Sequence, residues 1–157
     1  MTFYLFRHGE TRYSKNNLLY GKHIESADIV PEGVVQAKEI AAKLGKAGVR
    51  VIYSSPLKRC VHTVEIIKGE IPEVEIIFYQ GLEEEKMTRG LESLEELTER
   101  IRTFLEEVKT KNLEKVGVCT HGWPLAVLIA LLQKGNVQKS DLLNYHKCGE
   151  LVVIKTK

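Results

Sequence analysis

The stretch that says most about this chain is Phe3-Tyr4-Leu5-Phe6-Arg7-His8-Gly9, in which an apolar run ends abruptly in charged residues. A short apolar run bounded by polar residues is typical of a buried β-strand. In open α/β sheets, ligands bind beyond the carboxyl ends of the strands, which is where Arg7 and His8 stand. Because a guanidinium can hold an anion while an imidazole attacks it, the stretch makes phosphoryl transfer the first hypothesis.

Strand-like and helix-like segments alternate along the rest of the chain. The patterns predict helices at residues 31–47, 92–111 and 122–133, and one capped by Ser54-Ser55-Pro56 that continues to about residue 68. They predict further strands at residues 49–53, 74–79, 115–120, 143–146 and 150–155. We therefore expect one α/β domain over residues 1–157, a three-layer α/β/α sandwich. Its mostly parallel sheet would have about six strands, one of them antiparallel near the C-terminus.

Composition and charge argue against several classes of protein. The net charge of +2, with no block of Lys and Arg, argues against a nucleic-acid partner. Three cysteines without a C-x-x-C pair predict reduced thiols instead of a disulfide framework or a zinc site. The longest apolar stretch, residues 124–132, is too short for a bilayer, and no leader segment is visible. We expect a cytoplasmic protein that does not act at a membrane.

Ionisable residues also follow three later strands. Arg59 stands in the first turn of the helix after residues 49–53, three glutamates occupy residues 83–85, and His121 follows residues 115–120. The ends of parallel strands converge at one edge of a sheet, so these residues would surround one concavity together with Arg7 and His8. Two guanidiniums and a helix N-terminus suit a phosphoryl group. Taken singly, each of these residues is equally consistent with a structural or solvent-exposed role.

Three motifs follow one another along the chain: Arg7-His8-Gly9-Glu10-Thr11, Ser55-Pro56-Leu57-Lys58-Arg59 and Thr120-His121-Gly122. In this order they resemble the motifs of the histidine phosphatase superfamily, the phosphoglycerate-mutase-like group. Supporting matches lie between them, at Pro31-Glu32-Gly33 and at Gly90-Leu91-Glu92-Ser93. The resemblance covers nearly the whole chain and implies the fold of that group, in a short, phosphatase-type member.

The resemblance implies a role for each motif residue. His8 would be the nucleophile, forming a phosphohistidine that water then hydrolyses. Arg7, Arg59 and His121 would bind the phosphoryl oxygens and stabilise the transition state, with Gly122 beside them in the substrate-binding set. Neighbouring cations should depress the pKa of His8 and so favour the neutral form that attacks.

The general acid and one pocket residue are placed less sharply by the resemblance. Glu83, after Leu82, matches the acid of the family, and Glu84 is the alternative because three consecutive carboxylates leave the register open. Ser14 stands at the position of the family's pocket asparagine, where its hydroxyl would bind substrate with less reach. Only residues 84–89 lie between the acid and Gly90, where larger members insert helices that cover the substrate.

A short, open pocket favours hydrolysis over mutase activity, because a mutase must exclude water while it retains the phosphoryl group. We expect a phosphatase without metal or other cofactor, acting on phosphomonoesters such as a small sugar or metabolite phosphate. A phosphohistidine phosphatase with a phosphoprotein substrate, a phosphoglycerate-type mutase and a non-catalytic phosphate-binding module are the alternatives. The sequence leaves the oligomeric state open.

Overall fold

Five strands form one sheet in the computed structural model, which describes residues 1–157. They are β1 (Thr2–Arg7), β2 (Val51–Ser54), β3 (Glu75–Phe78), β4 (Lys115–Thr120) and β5 (Val152–Lys155). Their order is β3-β2-β4-β1-β5, with every neighbouring pair parallel except β1 and β5. The expected mostly parallel sheet with an antiparallel C-terminal edge is therefore confirmed.

The helices cover both faces of this sheet. They are α1 (Arg12–Lys15), α2 (Pro31–Ala47), α3 (Lys58–Glu70), α4 (Leu94–Lys109) and α5 (Gly122–Lys134). Alternate residues of β1 point into two separate cores, since Phe3 and Leu5 join the core under α4 and α5, whereas Phe6 joins the core under α2 and α3. Burial of both faces explains the continuous apolar run at residues 3–6. The expected three-layer sandwich is thus confirmed.

Two details of the predicted elements are wrong. The strand expected at residues 143–146 does not form, because Lys139–Leu143 is a 3₁₀ helix and the chain continues as a loop. Leu142 packs into the core under α4 and α5, while Leu143 is 84% exposed, so these apolar residues do not line a strand face. The sheet consequently has five strands instead of about six.

The second correction concerns the start of α3, which lies at Lys58 and not at residues 54–56. The backbone N–H of Ser55 donates to the carbonyl of Cys119 at 3.0 Å, so this residue prolongs the pairing of β2 with β4. The Ser55 hydroxyl then accepts from the backbone N–H of Leu57 at 3.3 Å.

No helix of the structure combines the length and the apolar character required to cross a membrane.

The carboxyl ends of β1, β2 and β4 meet at one edge of the sheet. Arg7 is paired with Thr120 across β1 and β4, and the backbone N–H of His8 donates to the carbonyl of Thr120 at 3.1 Å. Ser54 is paired with Cys119 across β2 and β4. The residues that directly follow the three strands are therefore neighbours, which is the convergence expected from the sequence.

The loop after β1 is pressed against the beginning of α2. A Cβ on Gly9 would lie 2.6 Å from the carbonyl oxygen of Gly33, and a Cβ on Gly33 would lie 2.6 Å from that of Glu10. Only glycine at both positions permits this approach between two backbones. The contact fixes where the chain leaves β1, and so fixes the position of His8.

We expect Gly33→Ala to lower the free energy of unfolding by about 1–3 kcal/mol, because the new methyl group must displace the backbone of Glu10. Gly69→Ala is the matched control, since nothing lies within 4 Å of a Cβ at that position of α3. The control should stabilise the protein by about 0.5–1 kcal/mol. Urea denaturation of both variants checks this, and equal shifts would show that the approach at Gly33 does not constrain the fold.

Candidate active site

His8 directly follows β1, and its ring is fully buried. Its Nδ1 lies 2.7 Å from the carbonyl oxygen of Gly9. Because a carbonyl only accepts, Nδ1 carries the proton and donates it, which leaves a lone pair on Nε2. This Nε2 is buried and has no hydrogen-bond partner. The backbone of the next residue thus sets the tautomer and holds the ring with a nucleophilic nitrogen free.

The surroundings of His8 keep it neutral. Burial lowers the pKa of His8 most, and the nearby His121, Arg7 and Arg59 lower it further, to well below its ordinary value. The rings of His8 and His121 lie 5.3 Å apart between centroids. Neutral imidazole is the form that can attack. The cations that would bind an anion therefore also keep His8 in its neutral, nucleophilic form.

Arg7, the last residue of β1, is only 5% exposed. Its guanidinium donates to the carbonyl of His146 at 3.2 Å and lies over the ring of Tyr145, 4.6 Å from the centroid. Gly122 permits this arrangement, because a Cβ at the start of α5 would lie 2.5 Å from atoms of the Tyr145 ring. The loop before β5 therefore orients the guanidinium of Arg7.

Arg59, in the first turn of α3, is fully buried. Its guanidinium donates to the carbonyl of Ile24 and, at 3.1 Å, to the carboxylate of Glu84. It also stacks on Tyr20, 4.0 Å from the ring centroid. The long loop between α1 and α2 supplies both Tyr20 and Ile24, so this loop holds the second guanidinium in place.

His121, directly after β4, faces the same carboxylate. Its Nδ1 lies 3.4 Å from Oε2 of Glu84, and its Nε2 lies 2.8 Å from the hydroxyl of Ser55. Burial disfavours the imidazolium, but the adjacent Cys60 sulfur and the Glu84 carboxylate outweigh it and raise the pKa of His121. Burial likewise opposes ionisation of Glu84, but His121 and Arg59 hold its pKa well below the usual range. The site therefore pairs an imidazolium with a carboxylate.

The structure brings Glu84, and not Glu83, to the other reactive groups. The side chain of Glu84 is 12% exposed and contacts Arg59 and His121. Glu83 makes no side-chain hydrogen bond or ion pair, although it lines a depression that also includes Glu84 and Lys86. The geometry therefore favours Glu84, the alternative named from the sequence, over Glu83 as the general acid.

Arg100 of α4 sets this register. Its guanidinium donates to the backbone carbonyls of Gly81, Glu83 and Glu84, and an ion pair with Glu92 holds it. Arg100 thus holds the backbone of residues 81–84 in one conformation. In this conformation the side chain of Glu84 contacts Arg59 and His121 at the strand ends. The sequence shows three adjacent glutamates without showing which carbonyls Arg100 holds.

The Ser14 hydroxyl caps a helix in the structure. It accepts from the backbone N–H of Thr11 at 2.8 Å and forms a capping box with Thr11 at the start of α1. This side chain therefore shapes the loop after the nucleophile, and its expected contact with substrate stays a prediction.

Several residues that support the site were missed by the sequence analysis. Thr63 accepts from the backbone N–H of Gly9 at 2.8 Å and donates to the carbonyl of Arg59 at 2.7 Å, so it ties the nucleophile loop to α3. Tyr20 and Tyr145 were missed because they approach the arginines from remote loops that carry no recognisable motif. Only Ser55, the partner of His121, lay inside a motif already identified.

Four buried nitrogen atoms at the site have no hydrogen-bond partner: Nε of Arg7, Nε2 of His8, Nε of Arg59 and Nδ1 of His121. An unsatisfied buried polar group costs about 1–3 kcal/mol, so such a group calls for an explanation. Three of these atoms are N–H donors, and the His8 atom carries a lone pair. A phosphoryl group has acceptor oxygens for the arginine donors and an electrophilic phosphorus for the His8 lone pair, while Nδ1 of His121 faces Glu84 at 3.4 Å.

The site also contains a set of atoms that could ligate a metal. One ligand atom each from His8, Glu84 and His121 lies within 4.8 Å of the others. A divalent cation there would need neutral histidines and would stand beside two guanidiniums, whereas the pKa of His121 is raised. The electrostatics of the site favour an anion over a cation.

The family comparison covers the whole site. The model of the histidine phosphatase superfamily (branch 1) matches residues 3–89 and 83–156. "Putative phosphoserine phosphatase 2" of Hydrogenobacter thermophilus is 26% identical over 91% of this chain and 83% of its own length. "Probable phosphoglycerate mutase GpmB" of Escherichia coli is 34% identical over 65% of this chain and 48% of its own length. The matched segment thus spans about half of that mutase.

Among solved structures, mycobacterial glucosyl-3-phosphoglycerate phosphatase has a similar fold. It superposes with a TM-score of 0.80 and 19% sequence identity, over 97% of this chain and 90% of that protein. At this identity the likeness concerns the fold, and it agrees with the sandwich architecture described above.

We expect the two site histidines to titrate on opposite sides of the ordinary histidine pKa of 6.5. His8, whose pKa is lowered, should be neutral at pH 6.5 with its proton on Nδ1. His121, whose pKa is raised, should still be protonated at that pH and lose its proton above it. Nitrogen-15 NMR of the imidazoles measures both.

Glu84→Gln should lower the pKa of His121, since the carboxylate that favours the imidazolium is removed. Glu83→Gln is the matched control and should leave that titration unchanged. A His8 that titrates at or above 6.5 in the wild-type protein would contradict the electrostatic description of the site.

Proposed function

This chain belongs to branch 1 of the histidine phosphatase superfamily, and on that premise we propose that it is a metal-independent phosphatase for phosphomonoesters. The observation that carries the proposal is the buried Nε2 of His8, which has no protein partner and lies among Arg7, Arg59 and His121. These groups are the ones that the sequence analysis assigned to the nucleophile and to phosphoryl binding.

In the first step, the phosphoryl oxygens accept hydrogen bonds from Arg7, Arg59 and His121, which places phosphorus in front of His8. Nε2 of His8 attacks, so that an N–P bond forms while the P–O bond of the ester breaks. Glu84 gives its proton to the departing oxygen, and the alcohol leaves. The cations around the site stabilise the charge on the phosphoryl group during this transfer.

Glu84 is ionised before substrate binds, because His121 and Arg59 depress its pKa. A bound phosphoryl group brings negative charge next to the same cations and next to the carboxylate. That charge raises the pKa of Glu84, so the carboxylate takes up a proton from the monoanion of the bound ester and passes it to the leaving oxygen. In the second step the carboxylate takes a proton from water, whose oxygen attacks phosphorus, and the N–P bond to His8 breaks.

Hydrolysis is favoured over mutase activity by the openness of the site. Thr88, Arg89, Gly90 and Leu91, which follow the acid, are all exposed, and no helix intervenes before α4. The segment after the acid therefore forms no helical cover over the site, whereas a mutase must exclude water from the phosphohistidine. The similarity to a probable mutase extends over only 48% of that protein, so it does not outweigh the geometry.

A small phosphorylated metabolite is the substrate class that we propose. The cleft beside Glu84 has a volume of about 310 Å³, which suits a small ester, and His8 is fully buried. A phosphoryl group carried on a folded protein would reach such a depth less readily.

The three free cysteines support a reducing, cytoplasmic environment.

His8→Ala should reduce hydrolysis of p-nitrophenyl phosphate by about a thousandfold or more, in buffer that contains EDTA, because the nucleophile is lost. Acid-labile labelling by a phosphorus-32 substrate should disappear in the same variant. The control is His62→Ala, which removes a partly exposed histidine paired with Asp28. Wild-type activity that stops in EDTA, or labelling that survives in His8→Ala, would contradict the mechanism.

Glu84→Gln should reduce kcat by about 10²–10⁴-fold, since amide cannot donate the proton to the leaving oxygen. The reduction in kcat/KM, which reports the transfer to His8, should be largest for alcohols of high pKa and smallest for p-nitrophenol, which leaves without a proton. Glu83→Gln should retain nearly all activity, because this carboxylate does not contact the reactive groups. The opposite pattern in steady-state kinetics would assign the acid to Glu83.

A further inference from the structure

A cleft of about 310 Å³ adjoins the reactive residues at Glu84. Glu84 lines it, together with Tyr20 and Tyr145, the two rings that stack on the arginines. Glu84 also borders a second depression, which contains Glu83 and Lys86, but only the first cleft contains the two tyrosines that stack on the arginines. The chemistry of the wall of that cleft decides which alcohols bind well.

Apolar side chains form most of the wall. Leu18, Leu19, Ile24 and Trp123 line the cleft beside the two tyrosines. Leu18 is 51% exposed and Leu19 is 80% exposed, although both are large apolar residues. Exposed apolar residues gathered at one concave surface mark a place where a ligand covers them. Because Glu84 lines the cleft and is the proposed proton donor, the leaving group is the ligand that would cover these residues.

Three of the polar side chains in the cleft already have hydrogen-bond partners within the protein. The carboxylate of Glu85 accepts from the backbone N–H of Thr88 at 3.0 Å and from its hydroxyl at 2.8 Å. The hydroxyl of Tyr20 lies 3.2 Å from that of Thr11. A sugar needs several free donors and acceptors to replace the water on its hydroxyls, and without them its binding is disfavoured. The cleft offers few, apart from the exposed Arg89.

We infer that the preferred substrates are phosphomonoesters of apolar or aromatic alcohols, selected over sugar phosphates by the wall of Leu18, Leu19, Ile24 and Trp123. The inference rests on the proposed function, since it names the class of leaving group for the same site. Each methylene that is fully removed from water on binding raises kcat/KM by up to about fourfold. In an open cleft the increase per methylene is smaller, about twofold.

The test measures kcat/KM for ethyl, butyl and hexyl phosphate, and for glucose 6-phosphate and glycerol 3-phosphate. The alkyl alcohols have nearly equal acidity, so the chemical step stays constant while apolar surface grows. We expect kcat/KM to rise about tenfold or more from ethyl to hexyl phosphate, and hexyl phosphate to exceed both polar esters.

Leu19→Asn should reduce the preference for hexyl over ethyl phosphate by about threefold or more. Competitive inhibition by inorganic phosphate is measured in parallel, because damage to the phosphoryl site would change it and loss of the wall would not. Leu143→Asn is the matched control: Leu143 is 84% exposed but lies outside the cleft, so the preference should persist.

An equal kcat/KM along the alkyl series, or faster hydrolysis of glucose 6-phosphate, would overturn the inference and leave the phosphatase function intact. Equal loss of preference in both asparagine variants would also overturn it, because the effect would not depend on the cleft. Failure to hydrolyse any ester, p-nitrophenyl phosphate included, would contradict the proposed function itself and this inference with it.

Discussion

The buried carboxylate of Glu84 lies between two cations of the site, Arg59 and His121. Arg59 is fully buried 3.1 Å from it, and His121 is fully buried with Nδ1 3.4 Å away. Removing charges from water is costly, and it is tolerated only where opposite charges and hydrogen bonds compensate. Glu84 compensates both cations, which keeps the two positive side chains close together in the buried site. The same carboxylate is placed to exchange a proton with the leaving oxygen.

The remainder of the structure serves to hold these charges at short range. The ends of β1, β2 and β4 place His8, Ser55 and His121 side by side, through backbone hydrogen bonds that side-chain motion does not disturb. The segment that carries Glu84 is attached at two points. Arg100 donates to the carbonyls of Glu83 and Glu84, and the Thr120 hydroxyl donates to the carbonyl of Leu82 at 2.6 Å. Such support from rigid elements positions reacting groups to within fractions of an ångström, as transfer chemistry requires.

The two loops that orient the arginines also line the cleft for the leaving group. Tyr20 stacks on Arg59 and Tyr145 on Arg7, and both rings line the cleft wall. The phosphoryl half and the alcohol half of a substrate therefore meet the same side chains. Recognition of the leaving group and orientation of the phosphoryl group are coupled through these two rings, in a site that remains open to water.

The sequence by itself determined the architecture and the reactive residues. Apolar periodicity is local, so it placed α2 at residues 31–47 and β4 at residues 115–120 where the structure has them. Convergence of parallel strand ends then brought Arg7, His8 and His121 together without any side-chain detail. The tertiary structure decided what depends on distant contacts. Arg100 brings the side chain of Glu84, and not that of Glu83, to Arg59 and His121. Contacts of Tyr145 and His146 with Arg7 accompany a loop instead of a strand at residues 143–146. Each of these is set by a partner far along the chain, and local patterns carry no information about such partners.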